Sequence, residues 1–205
     1  MSSKYKRKQK IRDPKRVFIF CEDSKKEPQY YEEYSEYYRI DQAKVTIVRR
    51  ANSTLSSPSH IVNEIRDYKK DLRKKYGQLV SRFEFWMVVD FDKWGGNLQE
   101  AISACHNNKF KTAISKPCFE IWLLLHYDDL AKTNGRTLTS KKSINTKLIK
   151  YNLSGDNKKD YFGRTKEAIE NAKRLDDNKE GAVTNGVGTK VFLLIEELNK
   201  LIIDR

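Results

Sequence analysis

Apolar positions along this chain follow two periodicities, and their alternation predicts the architecture. Val17 to Cys21 and Phe83 to Val89 are short continuous apolar runs rich in β-branched and aromatic residues, as expected of buried strands. Phe110 to Ile114 reads as a further strand. Lys44 to Arg49 alternates polar and apolar residues and reads as a strand nearer an edge. Between these runs the period changes to that of a helix. Ser24 with Glu27 fits a capping box and Pro28 a first-turn position, opening a tyrosine-rich helix to about Tyr38. Asn52 to Ser57 is a polar loop, and Ser57-Pro58 starts a helix with Ile61, Ile65, Tyr68, Leu72 and Tyr76 on one face. Gly95-Gly96-Asn97 predicts a turn, Leu98 to Asn107 a helix, and Phe119 to Tyr127 an almost wholly apolar, hence buried, helix. Strands alternating with helices predict an α/β fold with a parallel sheet of about four strands. After Asp128 the strand signal stops. Asn134-Gly135-Arg136 marks a turn, and three helical segments follow, at about Lys141 to Lys150, Thr165 to Leu175 and Thr189 to Ile203. The expected organisation is a basic arm over 1–16, an α/β core over 17–128, and a helical extension over 129–205 on or beside that core.

Length and composition narrow the class. A chain of 205 residues is one domain, or one domain with an appended subdomain. No apolar run is long enough for a membrane helix, and no apolar segment follows the basic N-terminus as a secretory signal requires. Cys21, Cys105 and Cys118 are scattered and odd in number, which points away from a disulfide framework or a zinc site and towards a reduced, cytoplasmic protein. The formal net charge is +13. Residues 1–16 carry Lys4, Lys6, Arg7, Lys8, Lys10, Arg12, Lys15 and Arg16 against Asp13 alone, so more than half of that charge lies on the arm, as suits a polyphosphate partner.

Acids end two of the expected strands. Glu22 and Asp23 follow the first, and Asp90 and Asp92 follow the third. In open parallel sheets the ligand crevice lies beyond the carboxyl ends of the strands. If the two strands are neighbours, Glu22, Asp90 and Asp92 converge, and an all-oxygen donor set of that kind suits Mg²⁺ or Mn²⁺. As single residues they would equally serve as loop acids or helix caps. Lys25 and Lys93 flank the acids and would neutralise phosphate oxygens. Gly181 to Val187 has P-loop glycine spacing without the Lys-Ser/Thr that would hold a nucleotide.

Two motifs carry a family resemblance. Phe20-Cys21-Glu22-Asp23-Ser24-Lys25-Lys26-Glu27-Pro28-Gln29-Tyr30-Tyr31 resembles the opening motif of the RloB-like family, roughly C-E-G-x-x-T-E-P-x-Y-F. Ser115-Lys116-Pro117-Cys118-Phe119-Glu120-Ile121-Trp122-Leu123-Leu124-Leu125-His126-Tyr127 resembles its second signature, S-x-P-C-F-E-x-W-L-L-L-H-F. The aspartate block falls between them, and the resemblance extends over nearly the whole chain. Asp23 stands where the family has glycine, Lys26 where it has threonine, and Asn185-Gly186 where it tends to have Asn-Pro.

The resemblance implies a Toprim-like domain, similar to the catalytic core of primases, topoisomerases and overcoming-lysogenization-defect nucleases, with Glu22, Asp90 and Asp92 holding Mg²⁺ or Mn²⁺. It implies a metal-dependent nuclease, for RNA or tRNA rather than DNA, acting in bacterial defence against phage, often beside an ATPase partner; a homodimer stays open. The alternative is a non-catalytic nucleic-acid-binding or regulatory subunit of an ATPase-containing complex. A nucleotidyl- or glycosyl-transferase using the D-x-D is a third. Glu27, Glu120 and His126 complete the candidate catalytic set, each with a structural reading beside it: capping acid, partner of a buried base, and core hydrogen-bonder. Candidate nucleic-acid contacts are Lys25, Lys93 and Lys116, with Lys6, Arg7 and Lys8 in the arm.

Overall fold

The computed structural model describes residues 15–49, 57–91, 94–151 and 161–202. Strands β1 (Val17–Cys21), β2 (Val45–Val48), β3 (Glu84–Asp90) and β4 (Lys111–Lys116) form a parallel sheet, and β5 (Gly188–Thr189) adds an antiparallel edge to β4, in the order β2-β1-β3-β4-β5. The helices are α1 (Lys26–Tyr37), α2 (Pro58–Tyr76), α3 (Gly95–Asn107), α4 (Glu120–Leu124), α5 (Lys141–Lys150), α6 (Thr165–Leu175) and α7 (Val191–Asn199).

Side-chain alternation along the strands divides the core in two. Val17, Ile19, Cys21, Trp86 and Val88 point to the face that α1, α4, α5, α6 and α7 cover. Phe18, Phe20, Phe85, Met87 and Val89 point to the face that α2 and α3 cover. Both faces are apolar because a parallel sheet with helices on each side is buried twice. The result is a three-layer α/β arrangement consistent with a Toprim-like domain. The helices after Asp128 lie on the α1 side and share its core through Ile144, Leu148, Ala168, Ala172, Ile195 and Leu198.

The chain leaves β1 towards β2, then returns across β1 to β3. The direction of winding therefore reverses between β1 and β3, and such reversals open a crevice at the carboxyl ends of the strands.

Several local expectations are revised. The side chain that caps α1 belongs to Asp23, one residue before the predicted Ser24: its carboxylate accepts the Lys25 and Lys26 N–H groups at 3.0 and 3.1 Å, and Glu27 accepts the Asp23 N–H at 3.3 Å. Asp23 is not among the residues with positive φ, so this turn needs no glycine. The α3 helix starts at Gly95, whose φ of +46° makes the turn that leads directly into it. The α4 helix is five residues long, because the chain turns away after Leu124 with the Tyr127 and Asp128 N–H groups closing back on its carbonyl. A strand stands where only helix was expected: Gly188–Thr189 pairs with Lys116 and Ser115, and α7 begins after it. Two residues give too short an apolar pattern to read.

Candidate functional site

The register of β1 on β3 places Cys21 beside Val88, so Glu22 and Asp90 emerge together at the winding reversal. The Glu22 N–H donates to the Val88 carbonyl at 2.9 Å, which continues the ladder one step past β1. The Glu22 carboxylate then accepts the Asp90 N–H at 3.1 Å. In turn, Asp90 Oδ1 accepts the Phe119 N–H at 2.7 Å, from the segment just before α4. The segments that leave three neighbouring strands, β1, β3 and β4, are thus fixed to one another through two acids. Glu22 and Asp90 are both buried.

Glu27 and Glu120 join them. Glu27 is buried on α1, and its carboxyl is pushed well above the usual range by burial, then by the Asp90 and Glu22 charges. Burial likewise raises Asp90, to about 7, with Glu22 adding to the shift and Lys141 and the Phe119 N–H opposing it. Glu120, at the first position of α4, is also buried. Burial alone would raise it, yet Lys141, its own backbone, Lys26 and the Cys118 thiol together hold it below the usual range.

The counter-charge comes from two lysines. Lys26 Nζ lies 3.1 Å from Glu120 Oε1. Lys141 Nζ lies 3.5 Å from the same oxygen and 3.8 Å from Asp90 Oδ2. Sequence reasoning missed Lys141. Its α5 helix is capped by Ser140, whose hydroxyl accepts the Ser143 N–H, and that cap fixes where the lysine emerges, but no motif ties Ser140-Lys141 to a strand end far upstream. Lys26 was visible only as a departure from the family pattern.

The remaining candidates separate. His126 sits in an aromatic core: Nδ1 is 2.9 Å from the Trp122 carbonyl, Nε2 is 3.5 Å from the Tyr30 hydroxyl, and the ring stands edge-on to Trp122 and Tyr161. Burial lowers its pKa to about 4, so it is neutral near pH 7. Tyr30, Tyr31 and Tyr34 are core residues as well. Lys25 is exposed at the head of α1. Lys116, the last residue of β4, rests 4.4 Å from the centre of the Phe91 ring and donates to the Asn185 carbonyl at 2.6 Å. Asp92, Lys93, Lys6, Arg7 and Lys8 lie outside the described residues. Among the described residues, no three His, Cys, Asp or Glu side chains form a group that could hold a metal ion.

Comparison with known proteins gives one match. The family model described as RloB-like protein fits residues 17–198, which is most of the chain. No curated protein and no solved structure matches it.

Proposed function

The chain belongs to the RloB-like family, and from that premise we propose that it is a metal-dependent nuclease, cutting RNA, tRNA included, in preference to DNA, as a cytoplasmic effector of bacterial defence against phage beside an ATPase partner. The observation that carries this reading is the convergence of Glu22 and Asp90 at the winding reversal, linked at 3.1 Å. The donor chemistry fits a hard divalent ion. The acids offer only oxygen donors, and Asp90 and Glu27 are raised first by burial and then by the neighbouring carboxylate charges, so a bound cation would favour their ionised forms. Glu22 and Asp90 would hold Mg²⁺ or Mn²⁺, with Asp92, two residues on in the sequence, as the third ligand. Bound there, the ion would activate a water or a sugar hydroxyl and stabilise the charge that develops at phosphorus.

The protein's own groups would do the rest. The Phe119 N–H fixes one oxygen of Asp90, and the other lies 3.8 Å from Lys141 Nζ. Lys116, the last residue of β4, would neutralise a phosphate oxygen of the bound strand. The net charge of +13 would draw in the polyanion, and the N-terminal arm would add contacts without base preference.

One observation favours the second reading, a binding or regulatory subunit that does not cut. Lys26 and Lys141 already supply positive charge to Glu120 and Asp90, as a metal would. Incubation with single-stranded RNA and DNA in Mn²⁺ or in EDTA separates the two. The nuclease reading expects cleavage of RNA that EDTA and Asp90→Ala each abolish, together with a rise in melting temperature on adding Mn²⁺ that Asp90→Asn removes. Binding without cleavage, and a melting curve indifferent to millimolar Mn²⁺, would establish the subunit instead.

A further inference from the structure

Cations gather at the amino edge of the sheet, opposite Glu22 and Asp90. Helices α2 and α3 connect parallel strands, so both run back from the carboxyl edge and end there. The last turn of α2 holds Arg73, Lys74 and Lys75, and Lys109 follows α3. Lys74 is paired with Asp71 at 2.8 Å. Arg16, Lys69, Arg73, Lys75 and Lys109 form no ion pair among the described residues. The helix dipole alone would favour cations in the last turn. It gives no reason for Lys69, which lies two turns earlier.

These cations are held in place without being neutralised. Arg16 donates to the Tyr76 hydroxyl at 3.1 Å, and its guanidinium lies 4.8 Å from the centre of that ring and 5.5 Å from that of Phe83. Lys75 Nζ lies 5.2 Å from the Tyr76 ring centre. Lys69 Nζ lies 4.9 Å from the Phe110 ring centre and donates to the Asn108 carbonyl at 3.4 Å. Burial, then the Arg73 and Lys109 charges, lower the Lys69 pKa, so both cations lie close enough to repel it. Lys109 has a φ of +58° at the end of α3, where the Phe110 N–H closes on the Cys105 carbonyl at 2.8 Å. Glycine is the residue such a turn favours. The lysine therefore stands there against the preference of the backbone, in a cluster that repels itself. A bound polyanion would relieve that repulsion.

We propose that this edge is a second nucleic-acid surface, which holds the phosphate backbone of RNA at a distance from the acids. Fixed cations without carboxylate partners suit phosphates read without base preference. The basic residues 4–12 enter the fold at the same edge through Arg16, whose carbonyl accepts the Glu84 N–H at 2.8 Å where β3 begins. Asp90 ends that strand, roughly 20 Å away at the rise of an extended chain. An RNA long enough to touch both ends is held better than a short fragment. The inference rests on the reading of this chain as one that engages nucleic acid, whether or not it cuts.

The test is fluorescence anisotropy of the full chain in EDTA with a long labelled single-stranded RNA. Lys69→Met keeps the stem that packs on Phe110, Arg73→Gln keeps a polar exposed side chain, and Lys109→Gly suits the turn. Combined, they should melt no lower than the wild type. At about 0.1 M salt the triple variant should bind about a hundredfold more weakly, with a plot of log affinity against log salt flatter by about 2, as the loss of three single-strand phosphate contacts requires. Lys109→Gly alone should flatten it by about 0.7. A control that removes as many charges elsewhere, Lys132→Gln with Lys150→Gln and Lys166→Gln, should lose far less, because distant charge is screened. No binding by the wild type, an unchanged slope in the variants, or an equal loss in the control would overturn the proposal. The same RNA in Mn²⁺ separates it from the nuclease reading. Weakened binding in the triple variant without cleavage by the wild type overturns the nuclease and keeps this surface. Cleavage by the wild type with undiminished binding in the triple variant keeps the nuclease and removes the surface.

Discussion

The carboxylate of Glu22 accepts the backbone N–H of Asp90 at 3.1 Å, so the acid that ends one strand positions the acid that ends its neighbour. Glu22 is therefore a structural acceptor as well as a candidate ligand, and the two roles respond differently to substitution. Glu22→Ala leaves a buried N–H without that acceptor, at roughly 2 kcal/mol. For a chain of this length that is a fall of about 4–8 °C in melting temperature. Glu22→Gln keeps an acceptor and removes a charge next to Asp90 and Glu27. It should melt close to the wild type in metal-free buffer while losing any Mn²⁺-induced rise. Calorimetry of both variants decides; equal losses in the two would mean that the charge, not the hydrogen bond, is what matters.

Lys141 should matter more than Lys26, although Lys26 makes the shorter bond to Glu120. The Lys26 side chain is 65% exposed, so its pair is largely screened, whereas Lys141 is 43% exposed and faces two buried acids. Lys141→Met should cost on the order of 1–2 kcal/mol, discounted from the larger cost of stranding a fully buried charge. Lys26→Met should cost within about 0.5 kcal/mol. In urea titrations, a double-mutant cycle of Lys141→Met with Glu120→Gln should return a coupling near 1 kcal/mol. A coupling near zero would show that the two side chains meet only loosely in solution.

Acid sensitivity should report on His126. Burial lowers its folded pKa to about 4 from the ordinary 6.5. Between those values the unfolded chain binds more protons than the folded one, so this contribution is complete above pH 6.5 and is lost as pH falls towards 4. Its upper limit is about 3 kcal/mol. Asp90 acts in the opposite sense, since its folded value is raised to about 7 and its contribution disappears as pH rises through that value. The difference between wild type and His126→Phe isolates the histidine. The variant should lose less stability between pH 7 and pH 5 by chemical denaturation, and parallel profiles would refute burial of a neutral ring.

Much of this fold was legible because its strands obey a simple rule. Continuous apolar runs such as Val17–Cys21 and Phe85–Val89 are buried on both faces, and acids mark where each run leaves the sheet. Glu22 and Asp90 could be paired in advance because neighbouring parallel strands bring their ends together. Elements whose determinants are local but not apolar were harder. The Asp23 cap competed with Ser24 one residue away, and both are good caps. The β5 strand is only two residues long and is held by its pairing with Ser115 and Lys116, with the Ser115 and Thr189 hydroxyls 2.8 Å apart. Lys141 reaches the acids only because α5 lies against α4, a relation between distant segments that no local pattern encodes.

The dependence of β4 on the last quarter of the chain has a consequence for biosynthesis. Translation delivers Glu22 and Asp90 early. Lys141, the buried Asp176–Lys190 ion pair and the strand that covers the end of β4 emerge later. A ribosome-bound intermediate ending near Tyr127 would present the clustered acids with Lys26 but without Lys141, and a sheet whose last strand lacks its neighbour. Until α5 has been made, Asp90 lacks the counter-charge that Lys141 gives it in the finished fold.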